Sequence, residues 1–233
     1  MKIAMWSGPR NLSTAMMYSF GNRPDMEAMD EPFYAPYLKA SGINHPMGAE
    51  IMAAHETDPV KVAATCDAPP EQHRYMKHMP HHMLDGVPLD WAADCVNIHL
   101  IRHPARVIAS YAAKRENPTL EDIGYSQQTA LFERIGGYVI DSHDIRENPQ
   151  AALRTLCEVI GLRFCDAMLS WTAGPKEFDG VWAAHWYGAV HRSTGFAGAE
   201  GPLPELSAEA AELCEKALPH YEALKTRKLL FKS

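Results

Sequence analysis

Disulfide chemistry has little to work with in this chain. Its five cysteines, Cys66, Cys95, Cys157, Cys165 and Cys214, are scattered and odd in number, so no disulfide is assigned and a reduced, cytoplasmic setting is expected. Positive charge is also scarce: 22 Lys and Arg stand against 29 Asp and Glu, a formal net charge of −7. Nucleic-acid affinity rests on neutralising phosphates, so that balance excludes a general polyanion binder but leaves room for a local basic pocket. No apolar run approaches the ~20 residues that span a bilayer. The chain starts directly on an apolar strand pattern, so neither a membrane partner nor a signal peptide is expected. Internal repeats and low-complexity segments are missing, and so is the Gly-Lys-Ser/Thr ending of nucleotide triphosphatase phosphate loops.

What is present reads as one α/β domain over residues 1–233, with a hydrophobic fraction of 46% that suffices for a core. Strands are expected at 3–6, 26–29, 74–77, 96–101 and 138–141, the fourth being the clearest because it is apolar and β-branched. Helices are expected after Thr14, after Pro32, from Pro104 to about Lys114, over 122–137, from Pro149 to Ile160 with Gly161 as its cap, and over 207–227. Residues 41–70 carry Pro46, Pro59, Pro69 and Pro70 and read as a lid or insertion with a helix near 48–55. Strands alternating with helices imply a three-layer sandwich around a parallel sheet, in which ligands sit beyond the carboxyl ends of the strands.

Two places carry anion chemistry. The segment Trp6-Ser-Gly-Pro-Arg-Asn-Leu-Ser-Thr14 joins a strand to a helix start, where amides and the helix dipole favour an anion. Ser13 and Thr14 add hydroxyl donors, and Arg10 adds a guanidinium fork. The second place is Arg102, just past the clearest strand, with Ser110 two helical turns later. An arginine and a hydroxyl at that spacing suit a second phosphate. A strand-end arginine paired with an acidic helix is the alternative.

Together these sites resemble the PAPS-dependent sulfotransferases, where PAPS is 3′-phosphoadenosine-5′-phosphosulfate. The family loop Pro-Lys-x-Gly-Thr-Thr corresponds to Pro9-Arg10-Asn11-Leu12-Ser13-Thr14, with Arg10 for lysine and Leu12 for glycine. Arg102, Pro104 and Ser110 keep the spacing of the family's 3′-phosphate motif. Asp144-Ile-Arg-Glu-Asn-Pro149 is similar to the segment before the family's later helix, and His191-Arg192-Ser193-Thr194-Gly195-Phe196 to its late basic loop. The resemblance implies a phosphate-loop nucleotide-binding fold of the α/β class and transfer of a sulfonyl group from PAPS, leaving PAP, to a hydroxyl or amine of a small-molecule acceptor.

Roles follow from the resemblance. Gly8, Pro9, Arg10, Asn11, Leu12, Ser13 and Thr14 would bind the 5′-phosphosulfate, with Arg10 also stabilising the leaving phosphate. Arg102, Ser110 and Arg192 would bind the 3′-phosphate. Glu31 is the first choice of base, with Asp30 beside it; a helix-end acid that merely complements a dipole is the bland reading. His78 is the rival base, because relatives place a Lys-x-His motif near the position of Lys77. Lys77 itself is expected to orient the sulfonate. A metal is not required, since a sulfonyl group carries less charge than a phosphoryl group. The bunched His73, His78, His81 and His82 read better as surface or supporting residues than as metal ligands. Trp182, Trp186 and Tyr187 suit an acceptor or adenine pocket, or core packing. An ATP-dependent kinase of similar fold and a non-catalytic nucleotide-binding protein stay open as alternatives, and a homodimer is compatible with all of these readings.

Overall fold

The computed structural model describes residues 1–112 and 118–231. Five strands run parallel in one sheet: β1 (Lys2–Trp6), β2 (Met26–Asp30), β3 (His73–His78), β4 (Val96–Ile101) and β5 (Tyr138–Asp141). Their order is β2-β3-β1-β4-β5. From β1 the chain runs to the edge strand β2, returns inward through β3, and then crosses β1 to β4 and β5. The connections that leave the neighbours β1 and β4 therefore run to opposite sides, and beyond the carboxyl ends of strands at such a point an open parallel sheet leaves a crevice.

Both faces of the sheet are covered, so the strands are apolar on both sides instead of alternating with polar residues. Ile3, Met5, Tyr75, Ile98, Leu100 and Ile140 point into one core layer with α1 (Ser13–Gly21). Ala4, Trp6 and Met76 point into the opposite layer. In the first layer Phe20 of α1 stacks on Tyr75 with ring centroids 4.7 Å apart.

Residues 41–70 hold two helices rather than one. After α2 (Tyr34–Ser41) come α3 (Gly48–Ala54) and α4 (Pro59–Asp67), and Asp58 caps α4 by accepting from the amide of Val60. Helix α5 (Pro104–Ala112) follows β4, and its expected end at Lys114 lies outside the described residues. The helical stretch expected over 122–137 is broken at Gly124, which takes φ 71° between α6 (Leu120–Ile123) and α7 (Tyr125–Ile135). Helix α8 (Ser142–Glu147), which the sequence reading did not resolve, is capped by the Asp141 side chain. Helix α9 (Pro149–Ile160) ends on Gly161 at φ 73°, as its sequence indicates. Two short helices, α10 (Ala183–Trp186) and α11 (Gly188–His191), precede the closing α12 (Ala208–Lys225).

Candidate active site

A cavity of about 290 Å³ opens beyond the carboxyl ends of β1, β2, β3 and β4. Pro9, Arg10, Leu12, Ser13 and Thr14 line it from the loop between β1 and α1, and Arg102 and Ser110 line it from β4 and α5. The first loop needs unusual backbone. Arg10 and Leu12 both take left-handed angles, φ 63° and 74°. Each such residue costs about 1–2 kcal/mol when a side chain is present. The first-turn amides of α1 have no carbonyl within the helix to bond, so they face the cavity as donors. Gly8 has a steric reason to be glycine, since a Cβ there would lie 2.5 Å from the carbonyl oxygen of Ile123. Asn11 is buried and donates to the Leu100 carbonyl at 3.2 Å, tying the loop to β4.

The two expected anion sites touch. Arg102 donates from Nη1 to the carbonyl oxygen of Arg10 at 2.7 Å. The opposite edge of Arg102 meets Glu200, with Nε 3.0 Å from Oε1. Its acidic partner is thus on the late loop rather than on a helix.

The second half of the cavity is a buried charge cluster at the ends of β2 and β3. Lys77 is fully buried and bonds Glu31, the Asp30 carboxylate at 3.0 Å and the Tyr187 hydroxyl at 2.7 Å. The Tyr187 hydroxyl lies 2.8 Å from both Asp30 oxygens and donates to that carboxylate. It accepts in turn from Trp182 Nε1 at 3.1 Å. The Gly180 amide adds a bond to Asp30 at 3.1 Å. Asp30 is therefore surrounded by donors, whereas Glu31 is the carboxylate of the pair that lines the cavity. Burial raises the Glu31 carboxyl above its ordinary value, and the neighbouring Asp30 charge adds to that against the pull of Lys77. Glu31 also sits at φ 42°, a left-handed backbone in which its amide still bonds the Lys77 carbonyl at 2.9 Å.

A family model described as a sulfotransferase domain matches residues 1–228. The chain belongs to this sulfotransferase family. Two curated proteins of Arabidopsis thaliana, branched-chain-amino-acid aminotransferase-like proteins 1 and 2, are 34% and 33% identical to it over 96% of its length. The chain spans 41% of each of them. Among solved structures, a sulfotransferase domain from the curacin biosynthetic pathway covers 92% of the chain and 96% of its own at a TM-score of 0.56 and 14% identity. A sulfotransferase from Alicyclobacillus acidocaldarius covers 98% and 97% at a TM-score of 0.55 and 13% identity. At such identities these structures establish the α/β fold.

Four residues expected in the site do not line the cavity. His78 does not line the cavity. Successive strand residues face opposite sides, so Lys77 reaches the cavity while His78 stacks on Trp6 in the other layer, with centroids 4.5 Å apart. Burial drops its pKa to about 3, and neither ring nitrogen has a partner among the described residues. Arg192 is exposed at the end of α11 and is not part of the cavity wall. Gly8 and Asn11 shape the loop from behind rather than lining the cavity.

Other residues also line the cavity. His81 and His82 are part of the wall rather than of the surface. His82 stacks between Tyr34 and Tyr37, each centroid 4.8 Å away. Burial holds the His81 pKa down at about 4 and that of His82 well below its ordinary value, so this wall is uncharged at neutral pH. Among the described residues no group of three or more His, Cys, Asp or Glu is arranged to hold a metal ion. Trp182, Trp186 and Tyr187 line the cavity, and Tyr187 also anchors the carboxylates. Arg146, from the segment similar to the family's later motif, lines it as well. Only its place in that segment marked it beforehand.

Proposed function

We propose that this sulfotransferase moves a sulfonyl group from PAPS to a hydroxyl or amine of a small-molecule acceptor. The observation that carries the reading is the bond from Arg102 to the carbonyl of Arg10, because it brings the two anion sites side by side on the wall of one cavity. A ligand with two phosphates suits two adjoining anion sites. The fit is chemical as well: the amino end of a nine-residue helix and Arg10 make one anion site, and Arg102 and Ser110 the other.

When bound, PAPS supplies the sulfonyl group and a phosphate leaving group. Arg10 and the first-turn amides of α1 hold the 5′-phosphate and counter the negative charge that grows there during transfer. Ser13 and Thr14 donate hydroxyl bonds at the same end. Arg102 and Ser110 hold the 3′-phosphate and fix the register of the nucleoside. At the other side of the cavity Glu31 accepts the acceptor's proton at its carboxylate. Its raised pKa makes it a stronger base than a free glutamate, and a placed base typically contributes ~10²–10⁴-fold. Lys77, pinned by Asp30 and Tyr187, holds Glu31 in position and returns positive charge to the site.

The aromatic and uncharged wall formed by Tyr34, His82, Trp182 and Trp186 suits a small organic acceptor rather than a sulfated polymer. All five cysteines are free, and a reduced, cytoplasmic setting belongs to the same reading. Among the described residues no helix is long and apolar enough to cross a membrane. Incubation with PAPS and a panel of phenols, alcohols and amines, with PAP release as readout and no added metal, tests the reading. Turnover on at least one acceptor class, lost in Glu31→Gln, is expected. Release of PAP that Glu31→Gln leaves unchanged contradicts the assigned base, and turnover of ATP in place of PAPS contradicts the donor.

A further inference from the structure

Behind the cavity wall at Arg102 lies one carboxylate shared by three arginines. Glu200 meets Arg102 Nε at 3.0 Å, Arg146 Nη1 at 2.8 Å and Arg106 Nε at 3.0 Å. Its side chain is only 1% exposed, while those of the arginines are 15–20% exposed. Arg102 and Arg146 line the cavity, and Glu200 does not. The carboxylate therefore sits on the protein side of the guanidiniums instead of filling the space in front of them.

The late loop fastens the same array. Arg146 donates from Nε to the Gly198 carbonyl at 2.8 Å, and Arg106 donates to the carbonyls of Gly201 and Pro202. A guanidinium has five N–H donors. Bonds from Nε and Nη2 to Glu200 and from Nη1 to the Arg10 carbonyl use three on Arg102, and those to Gly198 and Glu200 use two on Arg146. One carboxylate against three guanidiniums leaves the group with two positive charges in excess. A terminal phosphate monoester carries nearly two negative charges at neutral pH.

We propose that Arg146 is a second phosphate-binding guanidinium beside Arg102, and that Glu200 is the positioning residue that holds both forks toward the cavity. This rests on the PAPS reading above. Glu200 acts without touching the ligand: it fixes two long side chains that lose much rotamer freedom when they bind. Burial alone pushes the Glu200 carboxyl up, but the three guanidiniums outweigh it and keep it below its ordinary value, so it stays ionised at neutral pH.

Calorimetry of the full chain with adenosine 3′,5′-bisphosphate and with adenosine 5′-monophosphate isolates the terminal phosphate. The wild type is expected to prefer the bisphosphate. Arg146→Ala should lower bisphosphate affinity by roughly 10–100-fold, the range of a charged hydrogen bond, and leave the monophosphate unchanged. The unchanged monophosphate also reports that the variant is folded. Arg146→Lys should recover only part of the loss, because lysine lacks the fork. Glu200→Gln should weaken the bisphosphate alone. Equal loss of both nucleotides, or no loss, in Arg146→Ala overturns the clamp. Tighter bisphosphate binding by Glu200→Gln overturns the positioning role, since the carboxylate would then be competing with the phosphate. A wild type that does not distinguish the two nucleotides overturns the PAPS reading itself, and is told apart because it needs no variant.

Discussion

Arg102 donates from Nη1 to the carbonyl oxygen of Arg10 at 2.7 Å, so the end of β4 grips the turn that follows β1. One side chain thereby sets both the charge of the second anion site and the shape of the first loop beside it. Arg102→Lys keeps the charge but cannot bond the loop carbonyl and Glu200 together. Its affinity for PAP is expected to fall by roughly 10–100-fold, and calorimetry of the variant beside the wild type checks this.

The acid side of the pH profile reports Glu31. A carboxyl raised by burial and by the Asp30 charge keeps its proton to higher pH than an ordinary glutamate near 4.3. Activity as kcat/KM should therefore rise with pH along a limb displaced above that value. In Glu31→Gln turnover should drop ~10²–10⁴-fold with the limb gone. A wild-type limb at the value of a free glutamate would speak against this environment.

Lys77 is expected to matter more for stability than Glu31 does. Lys77→Met leaves two buried carboxylates facing each other without a cation. Breaking a buried pair by removing one partner costs about 3–5 kcal/mol. Glu31→Gln leaves Lys77 with Asp30 and Tyr187, and its loss should be smaller. Denaturant unfolding of both variants gives the comparison, and the reverse order contradicts the assigned partners.

His78 offers a pH test away from the chemistry. Its folded pKa of about 3 lies far below the unfolded value near 6.5. Acid therefore protonates the unfolded chain first, and the stability present above pH 6.5 is lost as pH falls. For one such histidine the loss between pH 6.5 and 5 is about 2 kcal/mol. His78→Phe removes the titration and keeps a ring against Trp6. Its thermal midpoint should fall less than the wild type's between pH 7 and 5, and its turnover should persist. Loss of turnover at intact stability would return His78 to the mechanism.

These residues show what was legible in the sequence and what was not. Strands β4 and β5 and the Gly161 cap were readable because local pattern decides them. The facing of His78 was not, since a sheet buried on both sides erases the alternation that tells one face from the other. Leu12 was placed by the family loop, but its φ of 74° was not legible, because leucine does not mark a left-handed turn as glycine does. Tyr187 and Asp30 are 157 residues apart, and Arg146 and Glu200 are 54 apart. No local spacing encodes such contacts, whereas the loop before α1 and Arg102 each sit in a motif of their own.

The central claim is that one cavity holds a nucleoside bearing two phosphates at its opposite ends. Calorimetry of the wild type with PAP and with ADP, in the absence of metal, tests it most directly. The account predicts micromolar binding of PAP and much weaker binding of ADP. Equal affinity for the two, or ADP binding that requires magnesium while PAP gives no heat, would contradict it.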